Sequence, residues 1–123
     1  MGKSQVFAYA DRAAAIIAEE RNAVGRIKKR YGTIERGDGE RRQTVDGALL
    51  VTLFDAFPET VDFHAEPLWI ECDSRAVPLF VASFERWGNG AAVVLFDDFE
   101  RAETAELLVG KVLHYEGGRK GAR

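Results

Sequence analysis

The sequence predicts a small, mainly β domain: a six-stranded antiparallel β-barrel with an N-terminal helix and a short helix before its last strand. Short β-type apolar runs alternate with glycine-rich or polar turns, and apolar residues recur at helical spacing near the two helices. Closing such short strands into a barrel removes the exposed edges of an open sheet. The predicted strands are "AVGRIKKRY", "ALLVTLF", "LWIEC", "VPLFVASFERW", "AAVVLF" and "KVLHY".

The first predicted element is an amphipathic helix over residues 5–21, inside an N-terminal segment of residues 1–22. Its apolar residues follow helical spacing, and Ser4 is placed to cap its start. The apolar stripe needs a partner, which is either the rest of the domain or a second copy of the chain. Self-association would use Val6, Tyr9, Ile16 and Ile17.

The first predicted strand carries most of its charge on one face. Strict alternation puts Arg26, Lys28 and Arg30 on one side of the strand. The other side then holds Gly25, Ile27, Lys29 and Tyr31. Residues 32–47 are dense in glycine and charge, which predicts a mobile loop or a long hairpin connection.

The remaining elements are predicted to form two consecutive hairpins, a short helix and a last strand. Polar residues Asp73 and Ser74 mark the first turn, and "GNG" at residues 88–90 marks the second. Cys72, the only cysteine, is expected to be a small buried residue in a strand. The segment "RAETAELLVG" predicts a helix ended by Gly110, and the tail, residues 117–123, is expected to be flexible and basic.

Composition is typical of one soluble globular domain. The 123 residues are 46% hydrophobic and 30% charged, and no apolar run is long enough to cross a membrane. The expected location is the cytoplasm. Cys72 has only His64 and His114 beside it and shows no metal-ligand spacing, and no glycine pattern is typical of a nucleotide cofactor. The sequence therefore predicts no metal and no cofactor.

Charge is distributed unevenly along the chain. Residues 21–42 contain eight basic residues and three acids, whereas residues 43–116 contain four basic residues and fourteen acids. A cationic zone on an otherwise acidic domain is suited to phosphate or to an acidic partner, although a solvated charged face gives the same pattern.

The order of motifs resembles the N-terminal domain of the RimM family of ribosome maturation factors. The resemblance covers residues 23–116, and Ala105-Glu106-Leu107-Leu108 with Gly110 is its best single match. The longer segment of residues 34–46 departs from the family pattern, and the family's second, PRC-type barrel is absent from these 123 residues. The matching stretches are "VGRIKKRYGT", "DGALLVTLFDAFPETVDF", "PLWIE" and "VPLFVASFERWGNGAAVVLFDDFERAETAELLVGKVL".

The resemblance implies a barrel of the type found in translation-factor second domains and a non-catalytic role in small-subunit assembly and rRNA processing. It implies contact with rRNA and with a protein of the subunit head. Tyr31 can either stack on an exposed base or pack against the barrel. The expected RNA-binding residues are Arg26, Lys28, Lys29, Arg30, Tyr31, Arg41 and Arg42, with Arg36 in the same loop. The expected protein-binding residues are Asp97, Asp98, Glu100 and Glu103, although acids at a helix start also suit the helix dipole.

Two other functions compete with this expectation. Flavin reductases share this type of barrel, and "RYGT" at residues 30–33 loosely resembles their Arg-x-Tyr-Ser/Thr signature, with Tyr31 one position early. Neighbouring Asp97 and Asp98 would point to opposite faces, which is poor geometry for an acid/base pair, and no enzyme activity is expected. A dimeric protein-interaction barrel unrelated to ribosomes is the second alternative.

Overall fold

A computed structural model describes residues 13–37 and 39–116. In this part of the chain the protein is mainly β, with one short helix before the first strand and another before the last strand. The first helix, α1, covers residues 13–18. Seven strands follow: β1 (Ala23–Arg36), β2 (Gln43–Leu53), β3 (Leu68–Cys72), β4 (Arg75–Leu79), β5 (Val81–Trp87), β6 (Ala91–Phe96) and β7 (Val112–His114). The second helix, α2, is Ala102–Ala105 and lies between β6 and β7.

All seven strands belong to one antiparallel sheet in the order β4-β3-β7-β1-β2-β6-β5. The predicted six-stranded closed barrel is not confirmed, because the described strands form an open sheet with β4 and β5 at its edges. "VPLFVASFERW" was expected to be one strand but is divided at Phe80. A single residue thus connects the two edge strands, so the sheet must curve strongly to bring its edges together.

Both predicted hairpins are present. Asp73 and Ser74 adopt positive φ of 53° and 65° in the β3–β4 turn, and Gly88 adopts 65° in the β5–β6 turn. Cys72 ends β3 opposite Arg75 and is exposed, so its predicted burial is wrong. The tight turn holds this end of the hairpin in solvent, beyond the part of the sheet that packs on the core.

The core lies on the sheet face that carries Ile27, Leu49, Val94 and Phe96, all of them at most 1% exposed. Burial on this face follows from cross-strand register, because Ile27 lies opposite Val51, and directly opposed residues share one face. The connection between β2 and β3 packs against the core. Phe57 is buried there, and Val61 and Phe63 pack against the cluster.

Helix α1 packs on β3 of its own chain. Ala13 and Ile16 are buried against Trp69, and Ile17 packs beside them. Buried Asn22 donates from Nδ2 to the Ile16 carbonyl at 3.2 Å, which satisfies a group that the helix end leaves unpaired. The described part of the apolar stripe therefore packs on the sheet, and Ile16 is not available to a second copy. The other two residues expected in a self-association surface, Val6 and Tyr9, lie outside the described residues.

The predicted second helix is shorter than expected. Helix α2 continues into a 3-10 turn, Glu106–Leu108, and the chain reverses at Gly110 with φ of 90°. Its start is held from another strand, because the Ala102 backbone N–H donates to Asp46 Oδ1 at 2.9 Å. Asp46 thus takes the role of a helix-capping side chain from a distant position in the sequence.

Tyr115 makes the stability of the fold depend on pH in the alkaline range. Burial raises the pKa of its phenol above the ordinary value of 10.0, and its hydroxyl donates to Glu66, whose charge adds to the shift. Because the folded state keeps this proton above pH 10.0 and the unfolded state loses it, stability is full below pH 10.0 and falls as pH rises further. We expect Tyr115→Phe to reduce the slope of unfolding free energy against pH in that range, measured by urea denaturation. An unchanged slope would contradict this assignment.

Candidate nucleic-acid interface

Two β-bulges in β1 shape the cationic surface. Ile27 lies opposite Val51 while Lys29 lies opposite Leu50, so Lys28 is an additional residue in the strand. A second irregularity between Arg30 and Gly32 makes Tyr31 additional in the same way. A bulge breaks the alternation of side chains between the two faces.

A continuous run of exposed residues contains both bulges: Lys28, Lys29, Arg30 and Tyr31. Strict alternation placed Lys29 and Tyr31 on the opposite face from Lys28 and Arg30. Lys29 lies opposite Leu50 and Arg30 lies opposite Leu49, so these two cations still alternate, and all four side chains reach solvent. We call Lys28, Lys29 and Arg30 the cationic cluster.

The cationic cluster has no ion-pair partner within residues 13–37 and 39–116. Glu85 is the acid in the same cross-strand row as Lys29. The row passes from Lys29 through Leu50 of β2 and Val93 of β6 to Glu85 of β5. With strands spaced about 4.8 Å apart, the Glu85 backbone lies roughly 14 Å from that of Lys29. The positive charge of the cluster is therefore available to a phosphate.

An exposed aromatic pair lies beside the cluster. Tyr31 and Trp87 are 40% and 46% exposed, and their ring centroids are 5.1 Å apart at an interplanar angle of 86°. Trp87 is on β5, two strands away from β2: it lies opposite Ala91 of β6, which lies opposite Thr52 of β2. The sequence analysis did not select Trp87, although an aromatic residue at the exposed end of a strand before a glycine turn was a signal for it.

Arg26 is separate from the cationic cluster. Its guanidinium donates to the Gly110 carbonyl at 3.3 Å, and it lines an open groove of about 970 Å³ between α1, β7 and the β3–β4 turn. Lys111, Glu71 and His114 also line this groove, and Lys111 Nζ donates to the Glu71 carbonyl at 3.1 Å. The side chains in this groove have mixed charge, so it does not extend the cationic surface.

Arg41 and Arg42 form a second cationic zone at the tip of the β1–β2 hairpin. Residues 32–47, predicted to be a mobile loop or a long hairpin connection, form a hairpin, since β1 runs to Arg36 and pairs with β2 from Gln43. Arg36 lies six residues beyond Arg30, which is about 20 Å in an extended strand. Arg42 pairs with Glu35 at 3.1 Å. The single connected patch expected from sequence is thus divided into two zones on one hairpin.

The outer half of this hairpin, residues 32–47, is an arm anchored to the segment before α2. Arg36 forms an ion pair with Glu100, and Asp46 caps α2. Gly47 is buried where an added Cβ would lie 2.4 Å from the Phe99 carbonyl oxygen, so the arm and this segment are in close backbone contact. The arm therefore has a fixed direction relative to the sheet.

The four acids expected to bind a protein have different environments. Asp97 and Asp98 are exposed in the turn after β6, and Asp98 has φ of 71°. Glu100 is already engaged by Arg36, and Glu103 pairs with Arg101 at 3.2 Å on the surface. Asp97 and Asp98 are thus the more available pair for a basic partner.

Within residues 13–37 and 39–116, no three His, Cys, Asp or Glu side chains cluster as metal ligands would, and no helix is long and apolar enough to span a membrane. No protein-family model matches the chain, and no curated protein or solved structure matches it.

Proposed function

We propose that this chain is a non-catalytic factor that assists maturation of the small ribosomal subunit by binding its rRNA through the cationic cluster. The observation that supports this most is the exposure of three consecutive, unpaired cations on a doubly bulged strand. Lys28, Lys29 and Arg30 belong to a chain with net charge −3, so this charge is local. Contacts between such side chains and phosphates provide most of the affinity of proteins for nucleic acid.

The ribosomal part of the proposal rests on the RimM-like order of motifs over residues 23–116. If β4 and β5 are counted as one strand bent at Phe80, six strands would follow one another in a ring, as the resemblance implies. We propose that this ring acts as a translation-factor-type barrel and that the protein works in the cytoplasm. Exposed Asp97 and Asp98 would contact a basic protein of the subunit head.

The proposed mechanism is differential binding. A factor that binds one conformation of immature rRNA more tightly than others increases the population of that conformation. It then dissociates when the mature surface replaces the one that it recognises. The fixed arm, with Arg41 and Arg42 at its tip, would reach rRNA about 20 Å from the cationic cluster.

Binding to small-subunit rRNA across a salt series tests this function. We expect the triple variant Lys28→Ala, Lys29→Ala, Arg30→Ala to bind more weakly and to reduce the slope of log affinity against log salt by about 2, since each single-strand phosphate contact contributes roughly 0.7. A filter-binding or anisotropy titration measures both quantities.

A charge-matched control keeps this test specific. Arg21, Arg75 and Arg101 are exposed cations outside both cationic zones, so their triple alanine variant has the same net charge as the cluster variant. We expect it to bind nearly as wild type does. Equal weakening of both variants, or no salt-sensitive binding by the wild type, would contradict the proposed interface. Failure to prefer immature small subunits over large subunits in co-sedimentation would contradict the ribosomal assignment.

A further inference from the structure

The aromatic pair Tyr31–Trp87 is an exposed apolar feature that the fold does not require. Tyr31 and Trp87 are each at least 40% exposed. The hydrophobic core is formed by other residues, such as Ile27 and Leu49. Exposed single hydrophobic residues are common, but two large aromatics in mutual contact beside a cationic cluster form a combined surface. This combination is typical of single-stranded nucleic-acid sites, where aromatics stack on bases and cations hold the backbone.

The geometry of the pair leaves ring faces free for stacking. At an interplanar angle of 86°, one ring presents its edge to the face of the other. The ring that presents its edge keeps both of its own faces clear of this contact, and the other ring keeps one. This contact therefore leaves ring faces on which a planar base can stack in an offset arrangement.

Position along the chain links this pair to phosphate binding. Tyr31 follows Arg30 directly, and the two residues that are additional in β1 relative to β2 both lie within residues 28–31. The same bulge that makes Tyr31 an additional residue exposes it next to the cluster. The cationic cluster and Tyr31 thus lie together on one short segment, and Trp87 of β5 contacts the Tyr31 ring.

We propose that Tyr31 and Trp87 form a stacking platform for an unpaired base, in an RNA strand whose phosphates are bound by the cationic cluster. This inference rests on the proposed function, because it takes RNA as the ligand, and it specifies unpaired RNA as the class. Bases inside an A-form duplex are stacked on each other and cannot offer their faces to a side chain. The site should therefore discriminate between single-stranded and duplex RNA of equal length.

The test uses the full chain and three RNA probes of equal length: a single strand, a duplex and a strand with abasic positions. Fluorescence reports stacking, because Trp87 is exposed and the other tryptophan, Trp69, is 7% exposed. We expect the single strand to quench Trp87 emission and to bind more tightly than the duplex or the abasic strand. Trp87→Ala should weaken single-strand binding by between about 5-fold and 140-fold, since one stacked base is worth roughly 1–3 kcal/mol.

Matched variants separate stacking from loss of fold and from loss of charge. Phe80→Ala removes an aromatic side chain that is 43% exposed at the sheet corner, and it should leave binding unchanged. Trp87→Phe keeps a ring and should retain most of the affinity, and circular dichroism should show all variants folded. Abasic RNA should bind Trp87→Ala as well as it binds the wild type.

Two results would overturn the platform. If single-stranded and duplex RNA bind equally and Trp87→Ala has no effect, while the cluster variant loses binding, the stacking inference fails and the proposed RNA-binding function remains. If no RNA binds at low salt, both fail together. A response of Trp87 emission to an acidic peptide but to none of the RNA probes would assign the pair to a protein contact instead.

Discussion

Phe96→Ala is expected to lower the free energy of unfolding by about 3–5 kcal/mol, which is the range for truncating a buried phenylalanine. Phe96 is fully buried at the end of β6, opposite Val81 of β5, and belongs to the main core cluster. Its removal would leave a cavity between the sheet and the segments that cover it. For a domain whose total stability is of the order of 5–15 kcal/mol, this is a large fraction.

Urea denaturation followed by circular dichroism measures this loss, and Phe80→Ala is the matched control. Phe80 is a nearby phenylalanine, and its carbonyl accepts from the Asp97 backbone N–H at 2.8 Å, but its side chain is 43% exposed. Since alanine keeps the same backbone bond, we expect Phe80→Ala to cost less than half as much as Phe96→Ala. Similar losses for the two variants would contradict the placement of Phe96 in the core.

Gly47→Ala is expected to destabilise the protein by about 1–3 kcal/mol through overpacking. The added Cβ would lie 2.4 Å from the Phe99 carbonyl oxygen and 2.5 Å from the Glu100 carbonyl carbon, both of them backbone atoms. Because backbone cannot rotate away as a side chain can, the arm and the segment before α2 would have to separate. That separation would also disturb the ion pair between Arg36 and Glu100.

Gly90→Ala is the control for this prediction. No atom lies within 4 Å of a Cβ built on Gly90, and its φ is outside the positive range. We expect its unfolding free energy to stay close to that of the wild type, while Gly47→Ala unfolds at lower urea concentration. Hydrogen exchange of the arm should also increase in Gly47→Ala. Equal stability of the two variants would show that the arm does not pack closely on residues 99 and 100.

Local patterns predicted most of the elements correctly. Alternating and apolar runs identified the strands, because side-chain periodicity depends on neighbours a few residues apart. The turns at Asp73–Ser74 and Gly88 were recognised from residues that tolerate positive φ. The exposure of Lys28 and Arg30 agrees with the charged face that alternation predicts for the first strand.

Other features depend on contacts between residues distant in sequence. The bulges at Lys28 and Tyr31 are defined by register against β2, and no local pattern in β1 marks them. The contact of Tyr31 with Trp87 joins residues 56 positions apart, and the pairing of Arg36 with Glu100 joins residues 64 apart. Such contacts exist only once the sheet has formed, because sheet curvature and register set which side chains meet.

The chain's own composition and periodicity thus established a mainly β domain with a local concentration of positive charge on its first strand. The division of "VPLFVASFERW" at Phe80, the open order of the sheet and the separation of Arg26 and Arg42 from the cationic cluster came from three-dimensional packing. The physical reason is the distance along the sequence between the residues that determine each feature. Backbone propensity and side-chain alternation depend on residues a few positions apart. Burial, register and charge pairing depend on residues of different strands, which only folding brings together.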